Sequence, residues 1–355
     1  LGNLVRTEDP RLLTLLNRDA ALAFSAYAQD EITLFDVFTV TPGARVEVIS
    51  TEARDYELEG DEVDAPSDLE NAEDAFAATE RERSDVVFVP GLGLHYQLTG
   101  SLGLLAGVHR GFSPVAPGQP DEVEPEASWN YELGARFNRG GLSTELIGFF
   151  NDYGNLLLTC TFSAGCPNSA VGNQFNAGTV WVYGLEALAS WTADLPLDIA
   201  LDLDASYTLT LSEFQNDITS GNPQFEDVRE GDSLPYVPEH QASATVGLSA
   251  PLGDFRGSLR ASYTFVDRMR DRASQGDVGD SLPGKAALTE ADFTDVQHVV
   301  DVAFQLDLTP TTRFYLKIDN LFDQAFIAAY RPFGARPGRR RVGQIGFTHR
   351  FGRDL

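Results

Sequence analysis

Apolar and polar residues alternate along much of this chain, most clearly in three segments. From Leu197 the apolar series runs Leu197, Ile199, Leu201, Leu203, Ala205, Tyr207 and Leu209, with Asp198, Ala200, Asp202, Asp204, Ser206 and Thr208 between. From Phe255 it runs Phe255, Gly257, Leu259, Ala261, Tyr263 and Phe265, against Arg256, Ser258, Arg260, Ser262 and Thr264. From Val300 it runs Val300, Val302, Phe304, Leu306 and Leu308, against Asp301, Ala303, Gln305 and Asp307. Successive side chains of a strand point to opposite faces, so a period of two predicts strands with one apolar and one polar face. Soluble strands average about 5–6 residues. These runs approach the roughly 9–11 residues that cross a bilayer at a tilt. The pattern predicts an all-β chain, part of an antiparallel up-and-down transmembrane β-barrel.

Extended over the whole chain, the pattern predicts thirteen strands, near 19–33, 38–54, 85–98, 102–112, 127–138, 142–157, 175–191, 196–210, 239–250, 254–268, 295–308, 312–320 and 341–351. Short connections fall at Phe35-Asp36, Thr99-Gly100, Asn138–Gly141, Thr192–Asp194, Leu252–Asp254 and Pro310-Thr311. Long ones cover 55–84, 113–126, 158–174, 211–238, 269–294 and 321–340. Short and long alternate, which places all turns at one end of a barrel and all loops at the other. Short periplasmic turns and long extracellular loops characterise bacterial outer-membrane barrels. Single-chain barrels of that kind have even strand numbers. Thirteen strands would leave two unpaired edges, so the chain reads as a piece of a larger barrel.

Composition adds limits. No run of 18 or more apolar residues is present, which rules out a helical span. The chain starts at Leu1 with no signal peptide, and it reads as the C-terminal part of a longer protein. A net charge of −27 excludes nucleic acid as a partner. Much of that charge lies between Asp55 and Asp74, a stretch read as a solvated loop because it lacks the ordered oxygen ligands and glycine of a calcium loop. Cys160 and Cys166 are the only cysteines and are candidates for a loop-closing disulfide in an oxidising compartment. The five histidines are isolated in sequence, so no metal site is expected, and no nucleophile elbow or phosphate loop suggests catalysis. His298 has apolar-face parity near the end of its strand and is read as part of an interfacial girdle. Trp129, Trp181, Trp191, Phe149 and Phe150 are read as girdle or packing residues.

Several stretches resemble the C-terminal half of TonB-dependent outer-membrane receptors, closest to the ferric citrate and siderophore type. Pro125–Gly134 is similar to "PE-x-S-x-NYELG". Asn176-Ala177-Gly178 with Tyr183-Gly184-Leu185-Glu186 is similar to "N-x-G … GLE". Leu234–His240 is similar to "LP-x-VP-x-H". Asn320-Leu321-Phe322-Asp323, then Gly334, Arg336-Pro337-Gly338 and Phe351, is similar to "NLFD … G-x-RPG … F". Family members usually stop at an aromatic residue, whereas here Gly352, Arg353, Asp354 and Leu355 follow Phe351.

The resemblance implies about 22 strands around a plugged lumen, with the plug and the first strands outside residues 1–355. It also implies monomeric, TonB-ExbB-ExbD-driven uptake of a ferric siderophore through the outer membrane, with no cofactor and no covalent chemistry. Outer-membrane lipid and lipopolysaccharide are the expected surroundings. Against the acidic background, two arginine sets are ligand candidates. Arg268, Arg270 and Arg272 continue the polar parity of Arg256 and Arg260. Arg331, Arg336 and Arg339, with Arg340 and Arg341, crowd the last loop. Guanidinium groups bind carboxylates in a bidentate fork, which suits ferric citrate or another carboxylate chelate. The alternatives are a passive porin, a surface adhesin anchored by the barrel, or a receptor for cobalamin, haem or a glycan.

Overall fold

A two-residue period forms a long strand only where both neighbours continue its ladder, and that condition holds through most of this chain. The computed structural model describes residues 15–57, 78–167, 170–280, 287–331 and 334–351. Its main sheet has 14 strands: thirteen long staves paired in sequence order, and the short strand Ile32–Leu34 paired with the second stave. The staves are β1 (Leu15–Gln29), β2 (Phe38–Glu57), β3 (Ala78–Gln97), β4 (Leu102–Ser113), β5 (Glu126–Arg139), β6 (Leu142–Tyr153) and β7 (Val180–Leu195). They continue with β8 (Ile199–Phe214), β9 (His240–Leu252), β10 (Phe255–Val266), β11 (Gln297–Thr309), β12 (Thr312–Asp319) and β13 (Val342–His349). All pairings are antiparallel. Among the described residues β1 and β13 each have a free edge.

Register sorts the side chains into two faces. Leu92, Val108, Tyr131, Phe150, Tyr183 and Leu211 stand opposite one another from β3 to β8. This face carries Val86, Leu133 and Ile345, each at least 70% exposed. Apolar area left in water costs about 25 cal/mol per Å², so the face suits hydrocarbon. The other face is polar and laced with ion pairs: Arg45–Glu47, Arg83–Asp85 at 2.8 Å, Arg136–Glu145, Arg260–Asp204 at 3.2 Å and Lys317–Asp319 at 2.6 Å.

Two glycines are fixed by close approach across the ladder. A Cβ on Gly184 would lie 1.8 Å from the Leu209 carbonyl oxygen and 2.9 Å from the Phe149 ring. On Gly134 it would lie 2.6 Å from the Leu146 oxygen. Phe149 therefore covers Gly184 on the polar face. Phe150 stays on the apolar face, with its ring 5.6 Å from Trp181 and 6.2 Å from Tyr131.

The structure corrects several boundaries. The turn expected at Thr192–Asp194 lies further on: β7 continues to Leu195, and Leu197 and Asp198 turn with φ of 70° and 57°. Leu197 is thus a turn residue, 82% exposed, and the apolar series of β8 begins at Ile199. Positive φ at both central residues is the two-residue hairpin geometry that matches strand twist. Phe35-Asp36 and Gly140-Gly141 share it. Strand β6 stops at Tyr153, and Leu157–Thr159 instead pairs with Gln174–Asn176 inside the following loop. Strands β2 and β3 extend beyond 54 and 85 because polar cross-strand neighbours continue the ladder, with Arg54 reaching Glu52 at 2.8 Å and Glu80 at 3.3 Å. The part of the acidic stretch from Leu58 to Asp74 lies outside the described residues.

A non-glycine residue in the left-handed region costs about 1–2 kcal/mol. The double substitution L197N/D198G, which supplies residues that tolerate positive φ, should therefore raise the urea midpoint of the intact protein. Tryptophan fluorescence in detergent, with an unchanged slope, measures it.

Candidate functional site

Irregular backbone must find polar partners outside the ladder, and here the long connections find them in one another. The connections 154–179, 215–239 and 267–296, with the adjoining ends of β7 and β8, share an apolar core of Ala177, Val180, Phe214, Phe225, Val228 and Ala273. The Phe225 ring lies 6.2 Å from that of Phe214 and 6.4 Å from that of Phe175. The Ala273 amide donates to the Gln224 oxygen at 2.9 Å, and Gln224 Nε2 donates to the Asp271 oxygen at 3.1 Å. The connection 114–125 joins the group: the Ala116 amide donates to Gln174 Oε1 at 2.7 Å, and the Glu124 amide to Asn176 Oδ1 at 2.8 Å.

Cys160 and Cys166 form a disulfide with their Cα atoms 5.9 Å apart. It closes the helical turn Phe162–Ala164, which Thr161 caps through its hydroxyl. Arg331, from the last connection, donates through Nη1 to the Ala164 oxygen at 3.2 Å and reaches Asp271 Oδ2 at 3.4 Å through Nη2. The Tyr330 amide donates to the Tyr236 hydroxyl at 3.2 Å. Four loops thus meet around Arg331.

The arginines singled out in the sequence divide into groups. Arg268 and Arg270 lie beyond the end of β10, in the loop, and both cover the Phe293 ring at 5.0 and 5.6 Å. Arg268 pairs with Asp277 at 2.5 Å, Arg270 with Glu239 at 3.3 Å and Arg272 with Asp292 at 2.9 Å. Arg336 is exposed in a small hairpin with Ile327–Ala329, and its side chain has no partner among the described residues. Arg339 is 71% exposed and 3.6 Å from Asp319. Within the cluster, Arg270 Nε, Asp271 Oδ1 and Arg331 Nε are buried without a hydrogen bond. Burial pushes the Asp271 carboxyl above its ordinary value; Arg331 opposes the rise and Asp292 adds to it. Among the described residues, no group of three or more His, Cys, Asp or Glu side chains could hold a metal ion.

Sequence reading missed the clasp at the neck of the last loop. Asn320 and Asp323 both have positive φ. Asn320 Nδ2 donates to the Gln324 and Arg339 oxygens, both at 2.9 Å. Asp323 receives Arg340 through Nε at 2.9 Å and Nη2 at 2.6 Å, and the Arg341 amide at 2.9 Å. Arg340 and Arg341 therefore fasten the loop. An acid so close in sequence to an arginine run was the available signal. Away from the loop arginines, the wall of β1–β6 holds a concavity of about 520 Å³, bordered by Gly43, Gly91, Gly93 and Gly107 with His95, Glu132 and Arg136.

Residues 10–321 match the family model of the TonB dependent receptor-like β-barrel. The chain belongs to the TonB-dependent receptor family. The fold of this receptor barrel is also that of the ferric yersiniabactin uptake receptor FyuA from Yersinia pestis, with a TM-score of 0.70 at 18% identity over 95% of this chain and 47% of that one. The ferric citrate transporter FecA gives 0.63 at 22% identity, over 94% and 45%. The copper transporter OprC gives 0.66 at 15%, over 94% and 48%. The chain spans about half the length of these solved structures.

In this TonB-dependent receptor, contact with Arg340 and the Arg341 amide holds the Asp323 carboxyl well below the usual carboxylate range. A depressed acid stabilises the fold above its unfolded pKa, and that contribution is lost as pH falls through the folded value. The D323N variant should thus be cut by trypsin at Arg339–Arg341 faster than wild type at neutral pH. Lowering the pH should narrow the difference. Limited proteolysis with a trypsin-like enzyme active in acid measures both.

Proposed function

We propose that this chain is the C-terminal barrel portion of an outer-membrane receptor for a ferric siderophore, of the carboxylate type exemplified by ferric citrate. The observation that carries the reading is a knitted, arginine-bearing loop assembly on a TonB-dependent receptor barrel whose net charge is −27. The long loops lie outside the cell, and an anionic chelate is drawn to their guanidinium groups. Arg336 and Arg339 are the arginines freest to bind it. Arg268, Arg270 and Arg272 take part by exchanging a carboxylate of the chain for one of the ligand. Exposed ion pairs are worth about 0–1 kcal/mol, so the exchange meets little resistance at Arg268 and Arg272, whereas Arg270 is 17% exposed and also donates to the Gly276 oxygen at 2.8 Å.

In this reading TonB-ExbB-ExbD acts on a plug outside residues 1–355. The complete receptor works as a monomer in a membrane of lipid and lipopolysaccharide, takes no cofactor, and leaves the ligand covalently unchanged. Receptors on this fold are named for ferric yersiniabactin, ferric citrate and copper, which leaves selection to the loops.

Removing a charge-assisted hydrogen bond costs about 1.5–3 kcal/mol. The R336A/R339A variant of the intact receptor should therefore bind ferric citrate at least about tenfold more weakly, with its barrel content unchanged. Titration by quenching of tryptophan fluorescence measures the affinity, and growth of an iron-limited receptor-deletion strain measures uptake. The reading fails if the intact receptor binds no ferric carboxylate chelate and restores no growth. Steady ion conductance in liposomes without ligand would indicate a porin instead.

A further inference from the structure

We infer that two tyrosine–histidine pairs on the apolar face, just beneath the long loops, seat the phosphorylated head group of an outer-leaflet lipid. The inference rests on the membrane placement proposed above and not on the identity of the transported ligand.

The pairs repeat in geometry. Tyr207 of β8 meets His240 of β9 with its hydroxyl 2.9 Å from Nδ1, and Tyr263 of β10 meets His298 of β11 with its hydroxyl 2.8 Å from Nδ1. The rings are stacked, at 25° and 17° between planes. In both hairpins the histidine stands opposite the residue two positions beyond the tyrosine: His240 opposite Leu209, and His298 opposite Phe265. Four consecutive staves, β8 to β11, therefore carry Tyr, His, Tyr and His where the ladder gives way to the loops.

All four share the face of Leu203, Val246, Leu259 and Val302, so apolar wall lies directly below them. Tyr207 and Tyr263 are 37% and 38% exposed. Trp129, Trp181 and Trp191 supply ordinary aromatic girdle on the same face without a histidine partner among the described residues.

The chemistry follows from the ring nitrogens. A phenol that donates to Nδ1 selects the tautomer with its proton on Nε2. Nε2 of His240 and of His298 has no partner among the described residues and points away from the phenol that holds the ring. Two N–H donors, each oriented by a hydrogen bond on the far side of its ring, are thus presented at the border of the hydrocarbon. Acyl carbonyls and lipid phosphates are the acceptors near that depth, and of the two the anionic phosphate makes the stronger, charge-assisted bond to an N–H donor. The nearby Asp267 carboxylate accepts the Arg268 amide at 2.8 Å and makes no hydrogen bond with either histidine ring.

Intact receptor in dodecyl maltoside micelles, which carry no phosphate, supplied with either lipid A or dephosphorylated lipid A tests the site. Native mass spectrometry counts the lipid that each preparation retains. Wild type should retain lipid A over the dephosphorylated form by about tenfold. H240F/H298F keeps the girdle but should lose the preference. H240Q/H298Q offers an amide N–H in nearly the same place and should keep most of it. Equal retention of the two lipids by wild type, which needs no variant, overturns the inference. So does an unchanged preference in H240F/H298F, or its loss in the glutamine pair. Titration of ferric citrate in the same preparations reads the transport proposal separately, because substitutions on the apolar face should leave that affinity unaltered.

Discussion

A bilayer core offers no water to an unpaired amide, and each unsatisfied N–H or C=O there costs several kcal/mol. This constraint organises the chain. The thirteen staves pair in sequence order, so nearly all their backbone groups are satisfied by the adjacent segment. Irregular backbone is confined to the two ends. Among the described residues, the outer edges of β1 and β13 carry no ladder partner, and neither do residues 78–90 of β3 on the side of β4. The same constraint explains why the ladders of β2 and β3 can extend into charged sequence. Above the apolar band, Arg54, Glu52 and Glu80 replace lipid contacts with ion pairs while the backbone register continues unbroken from Phe38–Tyr96 to Tyr56–Ala78.

What the sequence could reveal follows from this division. Period-two alternation is a local signal, so strand order, face and most turns were legible from residues a few positions apart. The Leu197-Asp198 turn was hidden because Leu197 carries the parity of β8, while the backbone takes a left-handed conformation that leucine seldom adopts. The loop assembly was hidden for a different reason. Its core joins Phe175, Phe214, Phe225 and Ala273 across three connections, and no periodicity reports contacts of that kind. The disulfide was foreseeable, since two cysteines so close have few other uses. Its clamping by Arg331 was not, because Ala164 and Arg331 are brought together only by tertiary structure.

Charge gives the arginines two different jobs. In a chain with 53 acidic and 26 basic residues, most arginines will meet a carboxylate. Arg340 does so in fork geometry, with the Arg341 amide on the same acid, and closes the neck of a loop. Arg268, Arg270 and Arg272 each meet an acid through a single contact, and two of them rest on one phenylalanine ring. A bidentate pair backed by a main-chain donor is geometrically committed. A monodentate, half-exposed pair such as Arg268–Asp277 is worth little, whereas Arg270 is 17% exposed and also donates to the Gly276 oxygen at 2.8 Å. Crowding of arginine in sequence therefore does not separate an arginine that fastens a loop from one left free to bind; the contacts already made do.

The motifs that carry the family resemblance can be judged in the same way. Gly134 and Gly184 allow the main chains of adjacent staves to approach Leu146 and Leu209, and Phe149 fills the space above Gly184. Asn320 and Asp323 hold the loop neck. Each of these residues maintains the wall or its connections, and none is required to touch a transported molecule. Solved structures named for iron chelates and for copper share this one fold. Substrate choice must then lie in residues whose contacts are weak enough to be exchanged. In the function proposed above those are the loop arginines, set on a scaffold closed by the disulfide and packed on the phenylalanine core.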